Sequence, residues 1–150
     1  LLFLGNPENH WKNFELARKA VEICDHFDAK LLTPFPVAQE LVVNYLNAAD
    51  ILLVTSFNEG SSNVIKEAMA CNCPIVATNV GDAEWVIGDT PGCFTTSFDP
   101  MEIAEKLNLA LEFSEMHRRT TGRKRIIDLK LDSSSIAHRI IEVYEKALKN

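Results

Sequence analysis

ADILLVTSFNEGSSNVIKEAMACNCPIVATNVG, residues 49–81, holds the alternation around which the chain is built. Ile51 to Val54 is a short apolar run of the kind that forms a strand buried on both faces. Thr55 to Gly60 turns polar and ends in glycine. Helical spacing runs from about Ser62 to Cys71, and Pro74-Ile75-Val76-Ala77 is a second buried strand stopped by Asn79, Gly81 and Asp82. Two apolar strands joined by one short helix predict a right-handed βαβ unit in a parallel sheet.

Ser61, Ser62, Asn63 and Val64 stand where that helix begins. The first amides of a helix lack intrahelical partners and point outward at the positive end of its dipole, which suits a phosphate or carboxylate. Gly60 lets the chain approach a ligand closely. The plain alternative is that Ser61 or Ser62 only caps the helix. Glu59 lies in the turn and Glu67 inside the helix. Val64, Ile65, Ala68 and Met69 form the apolar face, and Asn63 and Glu67 share a stripe beside it. That stripe should flank the crevice at the carboxyl ends of the strands, where open α/β sheets bind ligands. A solvated helix glutamate is the competing reading of Glu67 alone.

Upstream, Leu1 to Leu4 reads as a strand ended by Gly5-Asn6-Pro7, so a cut just ahead of a first strand is expected. A helix is predicted from Lys12 to Phe27, with Phe14, Ala17, Val21, Cys24 and Phe27 at helical spacing. Ala29 to Leu32 is a short strand, Thr33 to Pro36 a rigid loop, and Val37 to Ala48 a helix. Downstream, Val80 to Glu84 turns into a short helix ending near Gly88, where Asp82 either caps that helix or bonds a ligand hydroxyl. Asn72 is placed to take a left-handed position after the central helix. Gly92 to Thr95 is the last strand. Asp99-Pro100 starts a helix with proline at its first position. Ser114 to about Leu129 reads as one basic helix interrupted in propensity by Gly122. A final helix is capped by Asp132 or a following serine and carries Ile136, Ile140, Val143 and Tyr144.

The chain has 150 residues, 47% of them hydrophobic, with a formal charge of −6. Its length suits one domain over 1–150, burying about 70% of its unfolded surface. The acidic balance argues against non-specific nucleic-acid binding, and the basic run after Ser114 reads as a solvated face. No apolar run approaches membrane-spanning length, and no secretory leader is legible. Cys24, Cys71, Cys73 and Cys93 lack the spacing of a zinc site and read as buried, reduced thiols.

The string Glu59-Gly60-x-x-Asn63-Val64-x-x-Glu67-Ala68-x-Ala70, followed by Pro74-x-Val76-Ala77 and Val80-Gly81, strongly resembles glycosyltransferase family 4, the group 1 retaining glycosyltransferases. The resemblance runs over nearly the whole chain. It implies the C-terminal, donor-binding half of a GT-B fold: a Rossmann-like parallel sheet of about five strands with helices on both faces. The first loop of the resembled family reads Gly-Arg, several residues, then Lys-Gly. Gly5 and Lys12 match it, while Asn6 stands where the arginine is expected and Asn13 replaces the glycine. The missing arginine removes a bidentate phosphate partner.

By resemblance, Lys12 with the amides near Ser62 to Val64 neutralises the donor diphosphate, Glu59 contacts the sugar and Glu67 holds the ribose hydroxyls. Pro34 and Phe35 are candidates for one wall of the base site, or a simple hydrophobic plug. The implied reaction moves a sugar from a nucleoside diphosphate sugar, as co-substrate, to a glycan or lipid-linked acceptor with retention. No cofactor and no metal are implied, and no Asp-x-Asp motif is present. Polysaccharide biosynthesis in the cytoplasm is the expected setting, with any attachment to the inner membrane face made through the absent N-terminal domain. This chain alone is expected to be inactive, because the acceptor side of the cleft lies in that domain. Another GT-B-like enzyme such as an epimerase, or a non-catalytic nucleotide-sugar module, are the alternatives.

Overall fold

Leu52–Val54 (β1) and Ile75–Thr78 (β2) pair in parallel, with Leu52 opposite Ile75 and Val54 opposite Ala77. Cys93–Thr96 (β3) joins the far side of β2, again in parallel. The computed structural model describes residues 1–25 and 28–149. Its helices are Phe14–Ile23 (α1), Gln39–Ala48 (α2), Asn63–Ala70 (α3), Ala83–Ile87 (α4), Pro100–His117 (α5), Gly122–Asp128 (α6) and Ser133–Leu148 (α7).

The sheet has three strands rather than the five expected. The two upstream segments each reduce to a single bridging residue: Leu2 pairs in parallel with Leu32 on one side and with Leu52 on the other. Leu2 N–H donates to Ile51 O at 2.8 Å and Phe3 N–H to Leu32 O at 2.9 Å. The order across the molecule is therefore Leu32, Leu2, β1, β2, β3. Pairing stops early because Gly5-Asn6-Pro7 and Thr33-Pro34 turn the chain away, and proline has no amide to extend a ladder.

Strand residues alternate between two cores. Leu52, Val54, Ile75 and Ala77 pack with Leu46, Ile65, Met69, Val86 and Ile126, which belong to α2, α3, α4 and α6. Ile51, Leu53 and Val76 pack on the opposite face with Leu16, Ala20, Ile103 and Leu107 of α1 and α5. Both faces of every central strand are thus covered, which is why the strands read as unbroken apolar runs.

Two helix boundaries differ from expectation. His10–Lys12 forms a 3₁₀ turn, and Asn13 then takes a left-handed conformation, φ 50°, before α1 begins. Helix α1 ends at Ile23, short of Phe27, which lies outside the described residues. The basic stretch is not one helix. Helix α5 stops at His117, Arg118 takes φ 61°, and α6 starts at Gly122. Gly122 is a close-approach residue at that start, because a Cβ there would sit 2.8 Å from the Met69 carbonyl oxygen. Arg119, between the two helices, donates to the carbonyls of Leu46, Asn47 and Ala49 at the end of α2. Asn72 takes the left-handed position after α3, at φ 54°. Asp132 caps α7, accepting from Ser135 N–H at 3.0 Å. Among the described residues no helix is long and apolar enough to cross a membrane.

All four cysteines are free. Burial pushes the Cys73 thiol up to about 11 and the Cys93 thiol up to about 12. Alkylation needs the thiolate. In the folded protein at pH 8.5, iodoacetamide is therefore expected to leave both unlabelled while labelling them fully in denaturant. Peptide mass spectrometry checks this, and rapid native labelling of either would contradict the buried placement.

Candidate functional site

Strands β1 and β2 end on the same side of the sheet, so the loops after them lie next to each other. The loop after β1 carries Thr55, Ser56, Glu59 and Gly60, and leads into α3. Ser62 occupies the N-cap position of α3 but makes no side-chain cap hydrogen bond, so the helix's first amides keep no side-chain partner there. Ser61 instead donates to Asp82 and accepts from Lys66. Asp82 sits at the N-cap of α4 and likewise makes no cap bond, which replaces the capping reading with a link across the mouth of the site.

Lys12 and Glu59, 47 positions apart in sequence, meet in an ion pair with Nζ 2.6 Å from Oε1. Ser56 Oγ donates to that same carboxylate oxygen at 2.8 Å. The pair is partly sheltered, with the side chains of Lys12 and Glu59 31% and 18% exposed. Gly5 lies against Lys12: a Cβ on Gly5 would meet Lys12 Cγ at 3.3 Å. Asn6 is engaged locally, its Oδ1 accepting from Glu8 N–H at 3.0 Å.

Beside this pair lies a cleft of about 440 Å³. Gly5, Pro34, Phe35, Asn63, Val64 and Glu67 all line it, together with Gln39 and Val42 from α2. Glu67 Oε1 accepts from Gln39 Nε2 at 2.8 Å. Phe35 lines the cleft with 53% of its surface exposed and is not buried as a plug. A larger groove of about 1030 Å³ runs along the other flank of α3, between α2 and α6, and shares Asn63 and Glu67. The smaller cleft is the better candidate, because it alone meets the carboxyl end of the first sheet segment, at Leu4 and Gly5.

Several participants escaped the sequence reading. Gln39 is one, and its position at the start of α2 gave no sign that it faces Glu67. The hydroxyls of Thr55, Ser56 and Thr78 are others, at residues with 0%, 1% and 1% exposure. His10 joins an exposed aromatic row, with ring centroids 5.9 Å from Trp11 and 5.2 Å from Phe57; Phe57 lies 5.7 Å from Phe98. The signal available for the hydroxyls was their place directly after an apolar strand, where a buried side chain is costly unless it is hydrogen-bonded.

The family model described as glycosyl transferases group 1 matches residues 1–112. The D-inositol 3-phosphate glycosyltransferase of Xylanimonas cellulosilytica is 30% identical over 127 residues, covering 84% of this chain and 30% of that protein. Among solved structures, the sucrose-phosphate synthase of Thermosynechococcus elongatus matches with a TM-score of 0.80 at 17% identity, over 99% of this chain and 45% of that one. Anabaena HepE, solved in complex with UDP-glucose, matches with a TM-score of 0.72 at 21% identity, over 97% of this chain and 48% of that one. The chain thus spans less than half the length of each of these proteins. Its fold is the α/β architecture of one half of a GT-B glycosyltransferase, and the chain belongs to the group 1 glycosyl transferases.

Proposed function

We propose that this chain is the donor-binding half of a retaining, metal-independent glycosyltransferase that uses a nucleoside diphosphate sugar. The observation that carries the reading is the cleft itself. The amino end of α3, Glu67 and Phe35 line it together, and Gly5, which lines it too, lies against the side chain of Lys12. HepE, at a similar fold, is a UDP-glucose complex, which supports a nucleotide-sugar donor. The retaining course, the absence of a metal requirement and an acceptor site in a further domain rest on the family resemblance.

In this reading Phe35 and Pro34 flank the base, and Glu67 accepts both ribose hydroxyls. The α3 amides at Asn63 and Val64, with Lys12, take the diphosphate. The chemical demand is to stabilise charge growing on the leaving diphosphate and on an oxocarbenium-like sugar. Helix amides and Lys12 meet the first need, and the Glu59 carboxylate meets the second. The acceptor is a glycan or a lipid-linked glycan, the protein acts in the cytoplasm, and no nucleic acid is involved.

Calorimetric titration of the full protein with UDP, GDP and ADP, without metal, tests the site and names the base. One nucleotide is expected to bind saturably. Glu67→Ala is expected to weaken it by about 10- to 100-fold, since hydrogen bonds to a charged group contribute about 1.5–3 kcal/mol. Unchanged affinity in Glu67→Ala would remove the ribose assignment.

A further inference from the structure

Three buried hydroxyls sit behind the Lys12–Glu59 pair, and each donates to the two loops that carry it. Thr78 Oγ1, at the end of β2, donates to Ser56 O at 2.8 Å. Ser56 Oγ donates to Glu59 Oε1 at 2.8 Å. Thr55 Oγ1 shares its proton between Lys12 O at 3.1 Å and Asn13 O at 2.9 Å. Phe57 N–H adds a backbone bond to Trp11 O at 2.9 Å. The loop after β1 is therefore fastened to the loop before α1 on one side and to β2 on the other.

These positions are the first three-dimensional oddity of the sheet. They continue strands whose other residues are all apolar, at depths where valine or alanine would avoid the desolvation of a hydroxyl. Thr55 and Thr78 spend their protons on backbone carbonyls. Ser56 alone among the three spends its proton on a charged side chain. Both protein partners of Glu59, Lys12 and Ser56, contact Oε1, and Oε2 has no hydrogen-bond partner among the described residues. A carboxylate held through one oxygen by two donors on different loops has a defined plane. Its second oxygen is left for a ligand.

We propose that Ser56 is a positioning residue that aims Glu59 at the donor sugar, with Thr78 fixing Ser56 through its carbonyl. The inference rests on the donor-site reading above. Its chemistry separates the two parts of the donor. The diphosphate is met by Lys12 and the α3 amides, none of which bonds the Ser56 hydroxyl directly. The sugar is met by Glu59, which does. Loss of the Ser56 hydroxyl should therefore affect a nucleotide sugar and spare the matching nucleoside diphosphate.

The test is a pair of calorimetric titrations of the full protein, with UDP and UDP-glucose, GDP and GDP-mannose, and ADP and ADP-glucose, read on the pair that binds. In Ser56→Ala the affinity for the nucleotide sugar is expected to fall about tenfold, because a Glu59 that is no longer aimed forfeits about one charge-assisted hydrogen bond to the sugar, while that for the nucleoside diphosphate stays within about twofold. Glu59→Gln should remove the same discrimination, and adding Ser56→Ala to it should change nothing further. Should Ser56→Ala fail to fold, Thr78→Val carries the test with the same selective loss, about threefold, through the loosened Ser56 carbonyl. Equal weakening of both ligands, or a full additional loss in the double variant, would reduce Ser56 to a structural role and overturn the proposal. If Glu59→Gln keeps the wild-type ratio of nucleotide-sugar to nucleoside diphosphate affinity, the Glu59 assignment fails and the positioning role falls with it. If Glu59→Gln loses discrimination and Ser56→Ala keeps it, only the positioning role falls.

Discussion

Gly81→Ala is expected to lower donor affinity at least about tenfold and to destabilise the fold by on the order of 3 kcal/mol. Gly81 takes φ +60°, and a Cβ built there would lie 2.4 Å from the Glu59 carbonyl oxygen and 2.6 Å from that of Gly60. Two effects add. A left-handed conformation costs an L-residue about 1–2 kcal/mol. The clash is with backbone, so no side-chain rotation relieves it, and overpacking of this kind costs about 1–3 kcal/mol more. The relief available is displacement of the Glu59–Gly60 turn, which carries the carboxylate proposed for the sugar and leads into the α3 amides proposed for the diphosphate. Stability and binding should therefore fail together, with a melting temperature lower by roughly 10 °C. Gly60→Ala is the comparison. A Cβ on Gly60 meets nothing within 4 Å. Its stability should stay within about 0.5 kcal/mol of wild type. Thermal denaturation with nucleotide titration reads both variants, and a Gly81→Ala protein with wild-type affinity would show that the two loops are not coupled.

The central unit was legible because its signals are local. An apolar run covered on both faces and a helix with 3.6-residue periodicity read to within a residue of Leu52–Val54 and Asn63–Ala70. Departures arose where a non-glycine residue takes positive φ. Asn13 and Arg118 each break a helix that periodicity would continue; asparagine tolerates the left-handed region, while arginine gives no such signal. The upstream strands shrank to bridges because strand length depends on neighbours and on where proline turns the chain, not on the apolar run alone. In the site, residue types were legible and pairings were not. Nothing at Glu59 predicts that it meets Lys12, 47 positions away, or that Ser56 shares its oxygen. Nor does Gly81 reveal that it rests on the Glu59 backbone. Those contacts are products of strand order, which sets which loops become neighbours.

Lys12→Ala and Glu59→Gln are expected to change nucleotide binding in opposite directions, although they remove the two halves of one ion pair. With Asn6 where the resembled family has arginine, and engaged in its own turn, Lys12 is the one cation among the residues assigned to the diphosphate. Removing it should weaken UDP, GDP or ADP alike, by about 10- to 100-fold for loss of a charge-assisted contact. The loss should shrink as salt rises, because Lys12 is 31% exposed and its field is screened. Glu59 has the reverse relation to a free nucleotide. It holds Lys12 Nζ at 2.6 Å, so a diphosphate must share or displace that partner, and it meets a second negative charge nearby. Glu59→Gln keeps the shape and removes the charge. Nucleoside diphosphate affinity is then expected to rise by a few-fold, about 0.5–1 kcal/mol for a partly solvated charge pair. Sugar transfer should nonetheless fall by about 10²–10³, the usual scale for losing one group that stabilises transition-state charge. A variant that binds its nucleotide better while turning over far less would separate charge balance in nucleotide binding from charge stabilisation during reaction. Equal weakening of nucleotide in both variants would instead make the pair a structural clamp, and would move the diphosphate contact away from Lys12.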